Sequence, residues 1–546
     1  MKRTGKTLAV LVSIFMVVSM LASCSAASVA PTQAPASAPA SAEATAPAET
    51  PAQSYKVSWA SWIDGPMDKD NFVLQLLTKT FPDIQFDLIA LERDTWVDQM
   101  NTRVAGGDIP DIMFRDWIGY VRDYVAQGVL AELPIEVIKQ NAPNYYKAAV
   151  DFDPATFLAC NVDGKNYGLP ALTDSNSTAA TNAWRGDWLK KVGIEKVPET
   201  LDEMEAAFVK FVNDDPDGNG QKDTYGITSR GKDSGPWLVL FTEVFAAYGV
   251  LPDAWCLDPD GTVKLGVTSE RGKQALTLLN KWYNDGLIDP EFVTTDDAIF
   301  QQKWASSKFG YCEGTWYRFV PTGDYYDNLM ATTPTAVIQM GPSPKGPAGK
   351  YGYKSWGNIT SSICFGKQLS SDQPKFNRIL QVLDKIFTDP ELFEPMFHGE
   401  EGVHWKRENG IRVALPPYDD YAKRGPIGTT FFSAMPAIPA LTVKDQEPNY
   451  DELTKFARDR NMLDNQDYFT WISFFQNDAV VKETANAQTV AARWMIDFIT
   501  GAKPMDQFDQ FLAEWNAAGG EALTKDANEA YQKGQAGLQS IKDALK

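Results

Sequence analysis

Histidine, cysteine and positive charge are all scarce in this chain of 546 residues. There are two histidines, five cysteines, and 51 Lys and Arg against 71 Asp and Glu, which gives a formal charge of −20. So few histidines exclude a His-rich metal centre and leave His398 or His404 for any Ser-His-Asp or Cys-His mechanism. The acidic balance excludes nucleic acid as the main partner, because phosphate binding needs clustered Lys and Arg.

The cysteines other than Cys24 are widely spaced, and no CxxC pair occurs. This pattern does not indicate a zinc site, a redox pair or a dense disulfide scaffold. Two readings stay open for Cys160, Cys256, Cys312 and Cys364: one or two disulfides, or small buried thiols.

An apolar run long enough to meet a bilayer occurs only at the N terminus. Residues 8–20 follow Lys2, Arg3 and Lys6 and are too few to span a membrane comfortably, which is typical of a secretory signal. The run ends in LASC, which resembles a bacterial lipobox, so we predict a signal peptide over 1–23 and lipidation of Cys24. An uncleaved anchor is the alternative. Residues 24–54 are rich in Ala, Pro and Ser, and we expect a disordered tether.

The rest of the chain has the alternation of an α/β protein. Residues 55–61, 84–91 and 110–114 have strand character, and helical spacing of apolar residues separates them. This order predicts a parallel sheet. Ligands of such sheets bind at the carboxyl ends of the strands, here residues 62–64 and 115–117.

Several segments, taken in order, resemble the extracellular solute-binding proteins of family 1, the sugar-binding lipoproteins of ABC importers. They include GGDIPDIMFRD at 106–116, GKNYGLP at 164–170, RGDWLKKVGIEKVPETLDEM at 185–204, FGYCEGTW at 309–316 and GEEGVHW at 399–405. The resemblance implies a two-lobed periplasmic-binding-protein fold of type II, with parallel-sheet lobes joined by a hinge and a helical C-terminal region. It assigns residues 55–168 and 346–395 to an N-lobe and 169–345 and 396–546 to a C-lobe. The crossings are expected after Pro170, at 341–346 and at 390–395.

Residues 215–223 (DPDGNGQKD) match the first part of an EF-hand loop, with oxygen donors at positions 1, 3, 5 and 9 and glycine at position 6. We predict a structural Ca²⁺ bound by Asp215, Asp217, Asn219, the Gln221 carbonyl and Asp223. The loop departs from the motif at position 12, which is Gly226. A solvated turn is the alternative, and similar loops in the alginate-oligosaccharide-binding branch of the family favour calcium.

A sugar site needs aromatic faces for C–H surfaces, and carboxylates or guanidinium groups for hydroxyls. The strand ends and the family segments supply eight candidates: Trp62, Asp64, Asp116, Trp117, Arg185, Trp316, Trp356 and Trp405. Trp316 is the strongest, because its segment matches the one that delivers a stacking aromatic in the family. Core packing is the alternative for each tryptophan. His404 is a weaker candidate, since a core histidine is the commoner outcome.

The chain lacks GxSxG, HExxH, Walker A and GxGxxG motifs, so we expect binding rather than catalysis. The predicted function is a monomeric receptor, lipid-anchored on the extracellular face of a bacterial membrane, which delivers an oligosaccharide to ABC permease subunits. Attachment to the membrane would be through the lipid alone. The rival hypothesis is a secreted lipoprotein carbohydrate-active enzyme. Whether the ligand is neutral or a uronate stays open.

Overall fold

The N-lobe is built on a sheet whose first three strands come from the predicted strand-helix-strand-helix-strand order. The computed structural model describes residues 54–545 apart from 64, 116–117, 173–179, 235–237, 239, 321–322, 353–360, 409–410, 433–437, 439–440, 442–471 and 473–474. Its strands are β1 Tyr55–Ile63, β2 Ile84–Glu92, β3 Ile112–Arg115, β4 Asn161–Val162, β5 Lys165–Asn166, β6 Gly168–Pro170, β7 Ala180–Arg185, β8 Trp255–Leu257, β9 Val263–Leu265, β10 Tyr311–Thr315, β11 Ile338–Gly341, β12 Ser362–Phe365, β13 Trp405–Glu408 and β14 Ile411–Ala414.

The α-helices occupy the intervals between these strands and most of the C-terminal region, as expected. They are α1 Phe72–Thr80, α2 Trp96–Ala105, α3 Ile118–Ala126, α4 Ile135–Asn141, α5 Pro143–Phe152, α6 Gly186–Lys191, α7 Leu201–Asn213, α8 Thr242–Ala247, α9 Glu270–Asn284, α10 Asp297–Ala305, α11 Asp324–Thr332, α12 Gln373–Thr388, α13 Pro390–His398, α14 Asp478–Val481, α15 Thr484–Thr500, α16 Phe508–Trp515 and α17 Glu521–Ala544. None of the helices in the described ranges has both the length and the apolar character of a membrane span.

Local sequence explains where these helices begin and which face they bury. At the start of α7, Thr200 and Glu203 form a reciprocal capping box that satisfies backbone N–H groups at the helix end. Met204, Phe208 and Phe211 then recur at helical spacing and are fully buried. The helix therefore lies with one apolar stripe on the C-lobe core.

The N-lobe sheet has the order β2-β1-β3-β12-β6. β1 is parallel to β2 and β3, whereas β12 is antiparallel to β3 and β6. The parallel order of the first three strands is confirmed, but the sheet as a whole is mixed, because β12 arrives from a distant part of the chain.

The C-lobe, like the N-lobe, combines parallel and antiparallel strand pairing. Its named strands form an antiparallel sheet of order β10-β7-β11. Isolated parallel bridges add Tyr225 beside Phe309 and Ile227 beside Ile288. Each lobe thus contains a parallel part and one antiparallel strand that follows a crossing, β12 in the N-lobe and β7 in the C-lobe. The expected α/β lobes are confirmed, and the sheet of each lobe is mixed.

The packing agrees with one expected lobe boundary and disagrees with another. Lys345 exchanges backbone hydrogen bonds with Glu199 and Leu201, so the chain is on the C-lobe at that point, within the expected range 169–345. Met396, Phe431 and Phe432 belong to the core cluster of β1, so α13 and the described residues just before 433 lie on the N-lobe. The third crossing is therefore not at 390–395. The chain reaches the C-lobe core again in α15, where Ala487, Trp494 and other residues are buried.

The C-terminal helix α17 touches both lobes instead of belonging to the C-lobe alone. Leu523 lies in the C-lobe core, while Ala527, Ala530 and Ile541 pack with the N-lobe core. All four cysteines in the described part of the chain are buried free thiols, which decides between the two alternatives left by their spacing. They act as small apolar side chains.

Candidate functional site

The carboxyl edges of the two sheets are the edges from which the chain crosses between lobes. In the N-lobe, Pro170 and Arg115, the last residues of β6 and β3, both pair with Ser362. In the C-lobe, Ala180, the first residue of β7, pairs with Thr315, the last residue of β10. Since Pro170 leads to Ala180 along the chain, the two edges are adjacent to the same crossing. This is the place where the sequence predicts the ligand.

Trp62 lies at the N-lobe edge as predicted, next to the end of β1. Its half-buried indole packs edge-on to Phe114, with ring centroids 6.4 Å apart. The Arg93 guanidinium carbon lies 4.5 Å from the centroid of the Trp62 ring, a cation–π contact. Arg93 was missed in the sequence, although it directly follows β2 and the same strand-end rule selects it.

The C-lobe edge carries Trp316 as the first residue of the 3₁₀ turn Trp316–Phe319 that follows β10. The backbone of Trp316 is therefore at the predicted edge. Two residues later, Arg318 makes a forked contact with Asp324, Nε to Oδ1 at 3.0 Å and Nη2 to Oδ2 at 2.6 Å. Its guanidinium also lies 4.0 Å from the centroid of the Tyr325 ring.

A second guanidinium stands at the same edge. Arg230 follows the short extended segment at 225–227, and its Nη1 is 2.8 Å from Asp297 Oδ1. Opposite charge at this distance holds both side chains in place. Arg230 and Arg318 were not among the sequence candidates, because neither belongs to a recognisable motif.

A buried glutamate belongs to the same lobe. Glu243, in α8, is 2% exposed and interacts with Glu313 of β10. Burial and the neighbouring Glu313 raise the pKa of Glu243 well above 4.5.

Arg185 is not in the cleft, contrary to expectation. It is the last residue of β7, a strand that starts at the carboxyl edge and runs away from it, and the side chain is 2% exposed. Its guanidinium forms a fork with Asp187 (2.9 and 2.7 Å), donates to Ser307 (2.6 Å) and lies over Trp188. These contacts make Arg185 a buried structural residue.

Trp405 is also a structural residue. It is 3% exposed, and its Nε1 donates to the Gly399 carbonyl at 2.8 Å. The adjacent His404 is buried between Phe72 and Tyr418, and its Nδ1 accepts a hydrogen bond from the Glu400 backbone. The GEEGVHW segment is therefore a packed turn of the N-lobe. Burial of the imidazole lowers the pKa of His404.

The remaining sugar-site candidates, Asp64, Asp116, Trp117 and Trp356, lie outside the described residues. The same holds for Cys24. They stay predictions from the sequence.

The predicted calcium loop forms a tight turn at the amino edge of the C-lobe sheet, where the Tyr225 N–H bonds to the Lys308 carbonyl. Asp215 accepts backbone N–H groups of Gly218, Asn219 and Gly220. The loop is thus on the opposite edge of the sheet from Trp316, a place that suits a structural ion.

The donor chemistry of this loop suits a hard cation. The Asn219 amide donates to Asp217 (2.8 Å) and to Asp223 (3.1 Å), and Asp217 interacts with Asp215. Burial and the adjacent Asp215 raise the pKa of Asp217. A bound cation would favour the ionised form of these carboxyls.

Two observations show that this loop, as it stands, is not a complete calcium site. In the described part of the chain, no group of three or more Asp, Glu, His or Cys side chains converges on a common metal position. Position 12 is closed to a larger ligand, because a Cβ on Gly226 would collide with the Phe208 ring. A calcium ion would therefore need the carboxylates to turn inward, away from partners such as Lys308, whose Nζ is 2.5 Å from Asp223.

Comparison with known proteins identifies a family and a fold. The family model described as bacterial extracellular solute-binding protein matches residues 56–357, more than half of the chain. Among curated proteins, lipoprotein LipO of Bacillus subtilis is 27% identical over 462 residues, which cover 80% of this chain and 86% of LipO. The polygalacturonan/rhamnogalacturonan-binding protein YtcQ of the same organism is 23% identical, over 88% of this chain and 91% of YtcQ.

Among solved structures, the substrate-binding protein FusA of Streptococcus pneumoniae, an EF-hand mutant in complex with fructo-nystose, has a TM-score of 0.56. It is 17% identical, and the match covers 88% of this chain and all of FusA. At this identity the likeness establishes the two-lobed fold.

Proposed function

This chain belongs to the bacterial extracellular solute-binding proteins, and on that basis we propose that it is the lipid-anchored receptor of an ABC importer for an oligosaccharide. The sugar would be held between the lobes and delivered to the permease subunits when the protein docks on them. Hinge closure of two lobes around a ligand is the motion that such a fold performs.

One observation carries the proposal: the carboxyl edges of both sheets are adjacent to the same crossing. Pro170 and Thr315 stand at these edges, and Trp62 and the backbone of Trp316 lie beside them. Aromatic faces on two lobes would enclose the C–H surfaces of a sugar ring, with polar side chains such as Glu313 for the hydroxyls. Asp64, Asp116, Trp117 and Trp356 stay proposed members of this site.

The relatives support a saccharide as the ligand. FusA is described in complex with fructo-nystose, and YtcQ is named for binding polygalacturonan and rhamnogalacturonan. The name of LipO supports a lipid anchor, which in this chain would be Cys24 on the outer face of the bacterial membrane.

We also propose that Asp215, Asp217, Asn219, the Gln221 carbonyl and Asp223 hold a structural Ca²⁺. Support comes from the hydrogen-bonded acidic side chains of the loop and from the EF-hand named in the FusA description. Such an ion would supply charge that tightens the loop. Because the loop is on the opposite edge of the C-lobe sheet from Trp316, the ion would not contact the sugar.

The proposal is tested by isothermal titration calorimetry of the purified mature protein against a panel of oligosaccharides, with each sugar analysed afterwards by chromatography. Saturable binding with the sugar recovered intact supports a receptor. Cleaved sugar would favour the rival carbohydrate-active enzyme. If no oligosaccharide of the panel binds, the proposal of a sugar ligand is wrong.

The site itself is tested with Trp316→Ala. Loss of a stacked ring is expected to weaken binding by roughly tenfold to a hundredfold. Trp255→Ala is the matched control, since Trp255 is half-buried in β8, which pairs with β9 in a small sheet separate from the two lobe sheets. Equal affinity in a folded Trp316→Ala protein would remove Trp316 from the site.

A further inference from the structure

Two lysine ammonium groups from other parts of the C-lobe contact the predicted calcium loop. Lys191, the last residue of α6, has its Nζ 2.9 Å from the Asp215 carbonyl oxygen and 3.1 Å from that of Pro216. Lys308, shortly before β10, has its Nζ 2.5 Å from Asp223 Oδ2. An ammonium group donates to the same kind of oxygen atom that binds calcium, so both lysines supply positive charge to this loop.

The Lys308 contact differs from that of Lys191 because its partner is a predicted calcium ligand. Asp223 is position 9 of the loop, and its second oxygen, Oδ1, accepts a hydrogen bond from the Asn219 amide at 3.1 Å. Both oxygens of the Asp223 carboxylate therefore have donors, one inside the loop and one outside it. A calcium ion that used this carboxylate would lie close to the ammonium group, where two positive charges repel each other.

The fold holds Lys308 beside the loop. The Tyr225 N–H donates to the Lys308 carbonyl at 2.9 Å, and Tyr225 forms a parallel bridge with Phe309. Asp223 precedes Tyr225 by two residues, so the carboxylate and the ammonium come from adjacent backbone segments at the amino edge of the sheet. The side chains of Lys308 and Asp223 are 40% and 30% exposed. The ammonium can therefore turn into water when another cation binds the carboxylate, because solvent replaces its hydrogen bond.

We propose that Lys308 competes with calcium for Asp223: its ammonium group is the built-in counter-ion of this carboxylate, and calcium binds by displacing it. The inference rests on the calcium site of the proposed function and assigns a role to a residue outside the motif. Because an ion pair has to be broken, calcium binds more weakly than it would to the same loop without this lysine. The competition shifts the affinity towards the roughly 10⁻⁴–10⁻³ M found for calcium sites of extracellular modules.

The test is isothermal titration calorimetry of calcium chloride into the purified mature protein after removal of divalent cations with a chelator. Lys308→Met keeps most of the length of the side chain but removes its charge, and we expect the Kd for calcium to fall roughly tenfold. Lys308→Arg keeps the charge and should bind calcium no more tightly than the wild type. Lys308→Gln takes the place of Lys308→Met if that variant does not fold.

Lys222→Met is the matched control. Lys222 lies in the loop itself, but its Nζ is 3.1 Å from Asn213 Oδ1, so the variant makes the same change of net charge without breaking the contact to Asp223. Its Kd for calcium should stay within roughly threefold of the wild-type value. Equal tightening in Lys222→Met and Lys308→Met would indicate a general effect of charge and overturn the competition. A folded Lys308→Met protein that binds calcium no more tightly than the wild type would also overturn it.

Melting curves separate competition from a structural role of the lysine. In chelator, Lys308→Met should melt close to the wild type, because an exposed ion pair contributes little to stability. In millimolar calcium its Tm should rise by more than that of the wild type, since the tighter ligand stabilises the folded state more. If neither protein binds calcium, the competition and the calcium site are both wrong, whereas saturable sugar binding by the same preparation would leave the receptor function intact.

Discussion

Replacing Asp187 with asparagine gives the sharpest test of the position of Arg185. Asp187 is 26% exposed, and it supplies both carboxylate oxygens to a guanidinium that is 2% exposed. Asp187→Asn keeps the size of the side chain but leaves the buried positive charge without its counter-charge. Breaking one partner of a buried ion pair costs about 3–5 kcal/mol. For a lobe-sized unfolding unit this corresponds to a fall in Tm of roughly 6–20 °C.

The assay is differential scanning calorimetry together with sugar titration at 25 °C. The transition that contains the C-lobe should move to lower temperature, whereas sugar affinity of the folded variant should stay within about twofold, since Arg185 is at the amino edge of its sheet. Asp151→Asn is the control, because Asp151 and Lys147 are exposed partners on α5 and such a pair contributes about 0–1 kcal/mol. The reasoning would be refuted if Asp187→Asn melted like Asp151→Asn, or if it lost sugar binding without losing stability.

Three further predictions follow from other parts of the chain. Cys24→Ala should move the protein from the membrane fraction to the soluble fraction on immunoblots, and unchanged membrane retention would indicate that the apolar run itself is the anchor. Millimolar calcium should raise the Tm of the wild type by mass action and leave Asp217→Ala unchanged; identical melts with calcium and chelator for the wild type would leave the loop as a turn only. Because the folded-state pKa of Glu243 is above 4.5, the native state binds more protons, and stability should fall as the pH rises from 4.5 through the folded pKa. Glu243→Gln should flatten this fall in denaturant titrations at several pH values, and a parallel slope in wild type and variant would contradict the shift.

Much of the N-lobe was predictable because its determinants are local. The apolar run of β1, the alternation at the start of β2 and the apolar stripe of α1 are set by residues within one element, and parallel pairing follows from the connecting helices. Trp62 and the position of Trp316 follow from strand ends by the same rule. The position of β12 next to β3 was not predictable, since the paired residues Ser362 and Arg115 are far apart in the sequence.

The failed site predictions have one physical cause. Arg185 and Trp405 stand in segments that resemble ligand-binding pieces of the family, but resemblance does not give the direction of a strand or the burial of a side chain. β7 is antiparallel to β10, so its carboxyl end, and Arg185 with it, is carried to the opposite edge. Trp405 is buried by Gly399 and neighbouring residues of its own turn.

The sequence by itself determined the strand-helix order of the N-lobe, the family and the acidic character, because these depend on residue types and short spacings. The tertiary structure decided which charges meet. Glu243 and Glu313 are separated by many residues and by two helices, and no local pattern joins them. Burial of Glu243 and the neighbouring Glu313 raise the pKa of Glu243, and both causes exist only in the folded chain. The pKa of a side chain depends on its burial and on the charges near it, and the tertiary structure determines both.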